Sequence, residues 1–408
     1  MGMNALSGMR VLDLSHVIAG PTASHYLALE GAEVIKLEHP AKGDILRGGG
    51  RDQLDDGISV GFAAINGGKK SVAMDLRQPR AKELLAALVA TADVFIENFR
   101  PGAVARLGFD YARVQAIKPD IVYASISGFG QEGRWGPRAA YDHVVQAATG
   151  MTMLQGAQGE DPIKVGFPVV DTATGMVAGQ AILAALIRRL RHGHGAYLDI
   201  SMAQAALQLM WPDAARAAVS GRDAPRVGNR GFSGSPGAAC FRCTDGWIAT
   251  AANTMAQFRS LCATVGLAHL PDDATLIDQV AAQRGGFLVA LDGARVQGLL
   301  EQAFAVRGVA AVEAQLAALD VPCSKLRQLS ELLREAGAGD LVTLPLRKTP
   351  YPRGTLTDFG AGYLADHDPG AALAPAPRLG QHTAAVLTTL GVTSEEIATL
   401  VAAGTLRC

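Results

Sequence analysis

Three things are scarce in this chain: cysteine, net charge and long uncharged apolar runs. Each scarcity excludes something. The 408 residues hold five cysteines, Cys240, Cys243, Cys262, Cys323 and Cys408. An odd, scattered set of that size is no disulfide framework and points to a reduced, cytoplasmic protein. Cys240 and Cys243 form a CxxC inside an apparent strand, but no second pair completes a tetrahedral metal site. Lys plus Arg total 37 against 38 Asp plus Glu, so the net charge is −1. That balance argues against a broad nucleic-acid surface, and an anionic ligand must be held by a local cluster. No uncharged apolar run of 18 residues appears, so no membrane span is expected. The opening "MGMNALSGMRVLDLS" lacks the apolar core of a signal peptide. The dinucleotide fingerprint GxGxxG is also missing after the first apolar run, where "SHVIAGP" stands.

What is present is ordinary for a soluble globular protein: 49% hydrophobic and 18% charged residues, in a chain long enough for two domains. Strand-like runs at Met9–Ser15, Ala32–Glu38, Ser71–Leu76, Asp93–Asn98 and Asp120–Ser127 alternate with helical stretches. That alternation predicts right-handed βαβ crossovers and a mostly parallel, doubly wound α/β sheet. Ligands of such sheets sit beyond the C-terminal strand ends, which draws attention to His16, His39, Asn98, Arg100 and Ser127. The spacing further predicts a strand at Ala196–Ser201, a helix from about Met202, and a hairpin turning at Asp245-Gly246. The Gly-rich stretch 221–237 reads as a domain border. We therefore expect a large Rossmann-like domain over 1–220, a smaller α+β domain over 221–325, and a Pro-rich segment 326–408 returning to the large domain. Thr393 and Glu396 predict a capping box on the last helix.

The stretch "VGFPVVDTATG" (residues 165–175) is the most pointed. An apolar run ends in one carboxylate, Asp171, where a long apolar helix begins. Asp is among the best helix caps, so spacing alone favours a cap. The other reading is a nucleophile, kept ionised by the helix N-terminus.

Several stretches resemble the class III CoA-transferases: "RVLDLSHVIAGPTASHYLALEGAEVIKLEHP", "NGGKKSVAMDLRQPRAKELL", "ADVFIENFRPGAVARLGFDY", "DIVYASISGFGQEGRWGPRAAYDHVVQAATGM", "VGFPVVDTATGMVAGQAILAAL" and "DGWIAT". "RLGQHT" resembles the family's ending, with Gln381 where Glu is more usual. The resemblance implies an open-ring subunit interlocked with a second copy as a homodimer. It implies acyl-CoA and a free carboxylic acid as substrates, with no metal or redox cofactor. It puts the catalytic carboxylate on Asp171. It puts CoA contacts on His16, Val17, Ala19, His39, Met74, Arg77, Asn98, Phe99, Arg106, Tyr141 and Met202. Ile18 stands where formyl-CoA transferase has Gln, which argues against formyl or oxalyl substrates. The family's active-site glycine run corresponds to the looser "GNRGFSG", with Gly228, Gly231 and Gly234.

This chemistry suits the residues. Exchange of CoA between two acids is nearly energy-neutral, and a carboxylate nucleophile divides it into two steps through an acyl–aspartyl anhydride. Lys69, Lys70, Arg77, Arg100, Arg106, Arg134 and Arg138 are candidate phosphate partners. Two other readings remain open. One is a 2-methylacyl-CoA racemase, although Tyr141 in "AYDH" replaces the family's His and the adjacent His143 reads as structural. The other is a non-catalytic acyl-CoA-binding protein.

Overall fold

The apolar runs of the first half become the strands of one sheet. The computed structural model describes residues 4–50, 52–283, 286–337, 344, 346–366 and 373–408. Part of the Pro-rich segment therefore lies outside the described residues. The sheet strands are β1 (Arg10–Asp13), β2 (Glu33–Glu38), β3 (Lys70–Met74), β4 (Val94–Glu97), β5 (Val122–Ser127) and β6 (Ala196–Ser201). A C-terminal strand, Leu406–Arg407, completes it. Its order is β3-β2-β1-β4-β5-β6, with the C-terminal strand beyond β3. The six numbered strands pair in parallel, and Leu406–Arg407 runs antiparallel to β3.

This order has a physical consequence. The chain moves outward from β1 to β3 on one side, then crosses back and continues from β4 to β6 on the other. The crossovers leaving β1 and β4 diverge, which opens a crevice between their C-terminal ends. His16 and Asn98 follow those two strands.

Helices cover both faces. One core packs β-strand side chains such as Leu12, Ile35 and Phe95 against Leu84, Leu85 and Leu88 of α2 (Pro79–Ala90). The other packs Val11, Val34, Ile96 and Ala124 against α1 (Ala19–Leu29) and a later long helix (Val169–His192). Gly175 lets that helix and α1 touch: a β-carbon there would lie 2.6 Å from Thr22 Cβ and 2.8 Å from the Ala19 carbonyl oxygen. By length and composition the long helix could cross a membrane. In this fold its inner face, with Ala178, Ile182 and Leu186, is buried. Gly193, at φ 72°, ends it.

The chain forms two compact units: Met1–Thr152, Lys164–Asp223 and Leu344–Cys408 make the first, and Met153–Ile163 with Ala224–Thr343 make the second. The second unit holds an antiparallel sheet in which Trp247–Ala252 is flanked by Gly237–Arg242 and Cys323–Lys325. Its own core includes Phe241, Phe258 and Phe304. Residues 153–163 and 326–337 thus group with the small unit, where the sequence reading put them in the large domain and in the returning segment.

One local expectation is corrected. Thr393 caps its helix, accepting the Glu396 N–H at 3.2 Å. The Glu396 carboxylate does not close the box, because it pairs with Arg80 at 2.7 Å.

Candidate active site

At the β1/β4 switch point the backbone of residues 15–17 is gripped by the half-buried Asn98 and the buried Lys36 and Asp44. The Asn98 amide accepts the His16 N–H at 2.8 Å and donates to the His16 carbonyl at 2.7 Å. Lys36 is fully buried and donates to the Ser15 carbonyl at 2.7 Å. Lys36 also pairs with Asp44 at 3.0 Å, and Asp44 accepts the Val17 N–H at 3.2 Å. Val17 has φ 68°, a left-handed conformation that is strained for a β-branched residue. Strain of this kind amounts to about 1–3 kcal/mol and persists only where the surroundings impose it.

Two clefts adjoin this segment. The larger, about 210 Å³, is lined by His16, Val17, Ala19, Asn98, Phe99, Tyr141, Asp171 and Met202, together with Arg100, Ser127 and Arg138. The smaller, about 140 Å³, is lined by His39, Met74 and Arg77 and shares His16 and Phe99 with the first. The shared wall is a ring pair: His16 meets Phe99 edge-on at 5.5 Å. Burial lowers the His16 pKa, so the imidazole is neutral. Arg77 is exposed, chelates Asp75 at 2.7 Å and approaches His39 at 3.2 Å. Ten of the eleven expected CoA positions thus line one cleft or the other. Arg106 lines neither; it is exposed, and its neighbour Leu107 lines the smaller cleft. Gly228 and Gly234, at φ 62° and 70°, and Gly231 belong to the second unit.

Asp171 is not a helix cap. Its helix begins two residues earlier, at Val169, with Pro168 in the cap position and no capping side chain there. Two N–H groups of the first turn are satisfied by a different carboxylate. Asp142, first residue of the Asp142–Ala148 helix, accepts from Val170 N at 2.7 Å and Asp171 N at 2.9 Å. Gln146 steadies Asp142 at 2.5 Å and takes the Val165 N–H at 2.9 Å. The environment also does not favour ionisation of Asp171, contrary to expectation. Burial, and then the charge of Asp142, push its pKa up to about 7. Neither hydrogen bond nor cation relieves it among the described residues.

Lys69 is likewise reassigned. It is buried and bonded to Asp13 at 3.1 Å, Ser24 at 2.7 Å and the Pro21 carbonyl at 2.9 Å, so it braces α1 against β1. Lys70 pairs with Glu33. His143 is exposed and lines neither cleft. Arg138 lies over the Trp135 ring at 4.6 Å at the cleft rim.

Sequence reasoning missed three residues. Asp142 sits in "AYDH", directly beside Tyr141, which was the available signal. Asp44 caps the short turn Ile45–Gly48 by accepting the Leu46 N–H at 3.0 Å, a local signal, but its partners at the site, Lys36 and Val17, lie 8 and 27 residues away. Glu97 ends β4 and lines neither cleft. Burial pushes its pKa up to about 7, although the Ser125 hydroxyl and the Phe99 N–H donate to it.

Fold and site together define an α/β protein with paired ligand clefts at a Rossmann-type switch point and an unpaired carboxylate in the wall. Comparison with known proteins gives that class its family. The model of CoA-transferase family III matches residues 6–383, and the chain belongs to this family. It is 34% identical over 413 residues to formyl-CoA:oxalate CoA-transferase of Streptomyces avermitilis, covering 96% of this chain and 97% of that one. It is 36% identical over 271 residues to succinyl-CoA:glutarate CoA-transferase of Mus musculus, covering 66% of this chain and 62% of the mouse protein, so this match spans less than two thirds of that relative. Among solved structures, a CaiB/BaiF family protein from Brucella suis superposes with a TM-score of 0.80 at 28% identity, covering 94% of this chain and 99% of that one.

Proposed function

We propose that this protein transfers CoA from an acyl-CoA thioester to a free carboxylic acid, with Asp171 as the nucleophile. The observation that carries the reading is the Asp171 carboxylate itself. It lines the cleft, caps nothing and has no cation partner among the described residues. A binding protein has no need of so unfavourably placed a group.

The steps follow from the chemistry of the carboxylate. Ionised Asp171 attacks the thioester carbonyl; the C–S bond breaks, CoA leaves as thiolate and an acyl–aspartyl anhydride forms. The thiolate then attacks the aspartyl carbonyl, releasing the donor acid as a carboxylate and leaving an aspartyl-CoA thioester. The acceptor carboxylate attacks that thioester, and the returned thiolate takes the new acyl group, regenerating Asp171. Proton uptake and release balance to zero, and no metal or redox cofactor enters. The nucleotide end of CoA is assigned to the cleft of His39, Met74 and Arg77. The His16–Phe99 pair then lies between nucleotide and thioester.

A homodimer, interlocked through open-ring subunits, is part of the same proposal. An exposed apolar stripe on the Val169–His192 helix, with Met176, Leu183, Ile187 and Leu190, supports burial against a second chain. The odd, unpaired cysteines support a reducing cytoplasmic setting.

The test is turnover with succinyl-, acetyl- and other acyl-CoA donors against a panel of carboxylic acids, read by mass spectrometry. The panel starts from the acids named for the relatives, glutarate and oxalate. Transfer by the wild type and its loss in Asp171→Asn are expected. Full transfer by Asp171→Asn would remove the proposal.

A further inference from the structure

A third cavity, of about 380 Å³, lies across the wall that bounds the Asp171 cleft. The wall is made by residues 17–19 and the first turn of the Val169–His192 helix. Val17 and Ala19 line the Asp171 cleft, while Ile18 between them lines the third cavity. Asp171 lines the cleft, while Pro168 and Thr172 line the cavity. Successive residues of both segments thus serve the two spaces in turn. The three spaces therefore follow one another in order: the cleft of His39 and Arg77, the cleft of Asp171, and this cavity.

The chemistry of the cavity is distinct. Leu46, Ala64, Ile65 and Phe359 supply apolar surface. Among the described residues no Lys or Arg lines it. Its histidine, His25, is kept neutral, because burial lowers its pKa to about 3. Its one acid, Asp358, is already bonded to Arg347 at 2.8 Å.

We propose that this cavity receives the chain of the acid exchanged at Asp171, and that it selects monocarboxylic acids with uncharged apolar tails over dicarboxylic acids. The proposal rests on the CoA-transfer reading above. A second carboxylate entering the cavity would give up part of its hydration and meet only cations already paired with acids, Lys69 with Asp13 and Arg347 with Asp358. An added methylene would gain, by roughly fourfold per group fully buried.

The test uses the full chain and one acyl-CoA donor that the wild type turns over. Acceptor kcat/KM is measured for pentanoate against glutarate, which share a five-carbon chain, and for acetate against hexanoate. Pentanoate should exceed glutarate by at least tenfold, and hexanoate should exceed acetate. Ala64→Phe narrows the cavity and should lower the hexanoate-to-acetate ratio at least tenfold. Leu46→Ala widens it, should move the ratio the other way, and carries the test if Ala64→Phe does not fold. Glutarate equal to or better than pentanoate overturns the proposal. So does active transfer whose length ratio neither variant moves. Absence of transfer to every acid, or full transfer by Asp171→Asn, fails the CoA-transfer reading itself and takes this one with it.

Discussion

The carboxylate of Asp142 accepts the main-chain N–H of Asp171 at 2.9 Å. One acid thus occupies the helix N-terminus that the other would use, and its charge adds to the burial that raises the Asp171 pKa. Asp142→Asn should keep an acceptor oxygen while removing the charge. The acid limb of kcat/KM against pH should then move to lower pH. Asp142→Ala leaves two N–H groups without their partner and should lose about 1–3 kcal/mol of stability. Calorimetry and pH profiles check both outcomes.

For the wild type, the acid limb itself should fall near pH 7, where Asp171 gains its proton in the free enzyme. Activity should rise with pH through that region. A limb near pH 4 would mean that the unliganded carboxyl is unperturbed.

Stability should run the opposite way. The folded state holds the Asp171 proton more tightly than the unfolded chain. The carboxyl's contribution is therefore fully present below about pH 3.8 and is lost as pH rises through about 7. Glu97, also raised to about 7, acts with the same sign from its ordinary 4.5. Asp171→Asn should match the wild type at pH 4 and be more stable at pH 8. The difference is on the order of a few kcal/mol, at roughly 1.4 kcal/mol per unit of pKa. Urea titrations at both pH values decide it. A cap would instead show an Ala variant weakened at every pH.

A covalent species is expected on the wild type. Incubation with acyl-CoA followed by hydroxylamine or borohydride should modify the peptide containing Asp171, since both reagents trap an activated aspartyl carbonyl. No modified peptide should appear in Asp171→Asn.

Arg77 and Arg106 should separate. Arg77→Ala removes a cation from the smaller cleft and should raise KM for CoA esters several-fold with kcat little changed. Arg106→Ala, outside both clefts, should have the smaller effect. Equal effects in steady-state kinetics would place a CoA phosphate at Arg106 as well.

The α/β class and most elements were legible because they are local. "RVLDLS", "AEVIKLE" and "DIVYASIS" are apolar runs bounded by turn residues, and periodicity reads such runs directly. Strand-end position already drew attention to His16 and Asn98, and resemblance extended the reading to Tyr141 and Met202; all four line one cleft. The role of Lys69 was not legible: sequence gives its charge, but burial against Asp13, 56 residues away, turns a phosphate candidate into a strut.

Sequence by itself determined that strands alternate with helices, that a carboxylate stands at the start of a long apolar helix, and that polar residues follow the strands. Those facts depend on neighbours a few positions apart. Only the tertiary structure decided what Asp171 is. Its state depends on Asp142, 29 residues earlier, taking the helix N–H groups, and on packing that withdraws water from its carboxylate. Desolvation and through-space charge depend on which distant side chains meet, and no local pattern encodes that meeting.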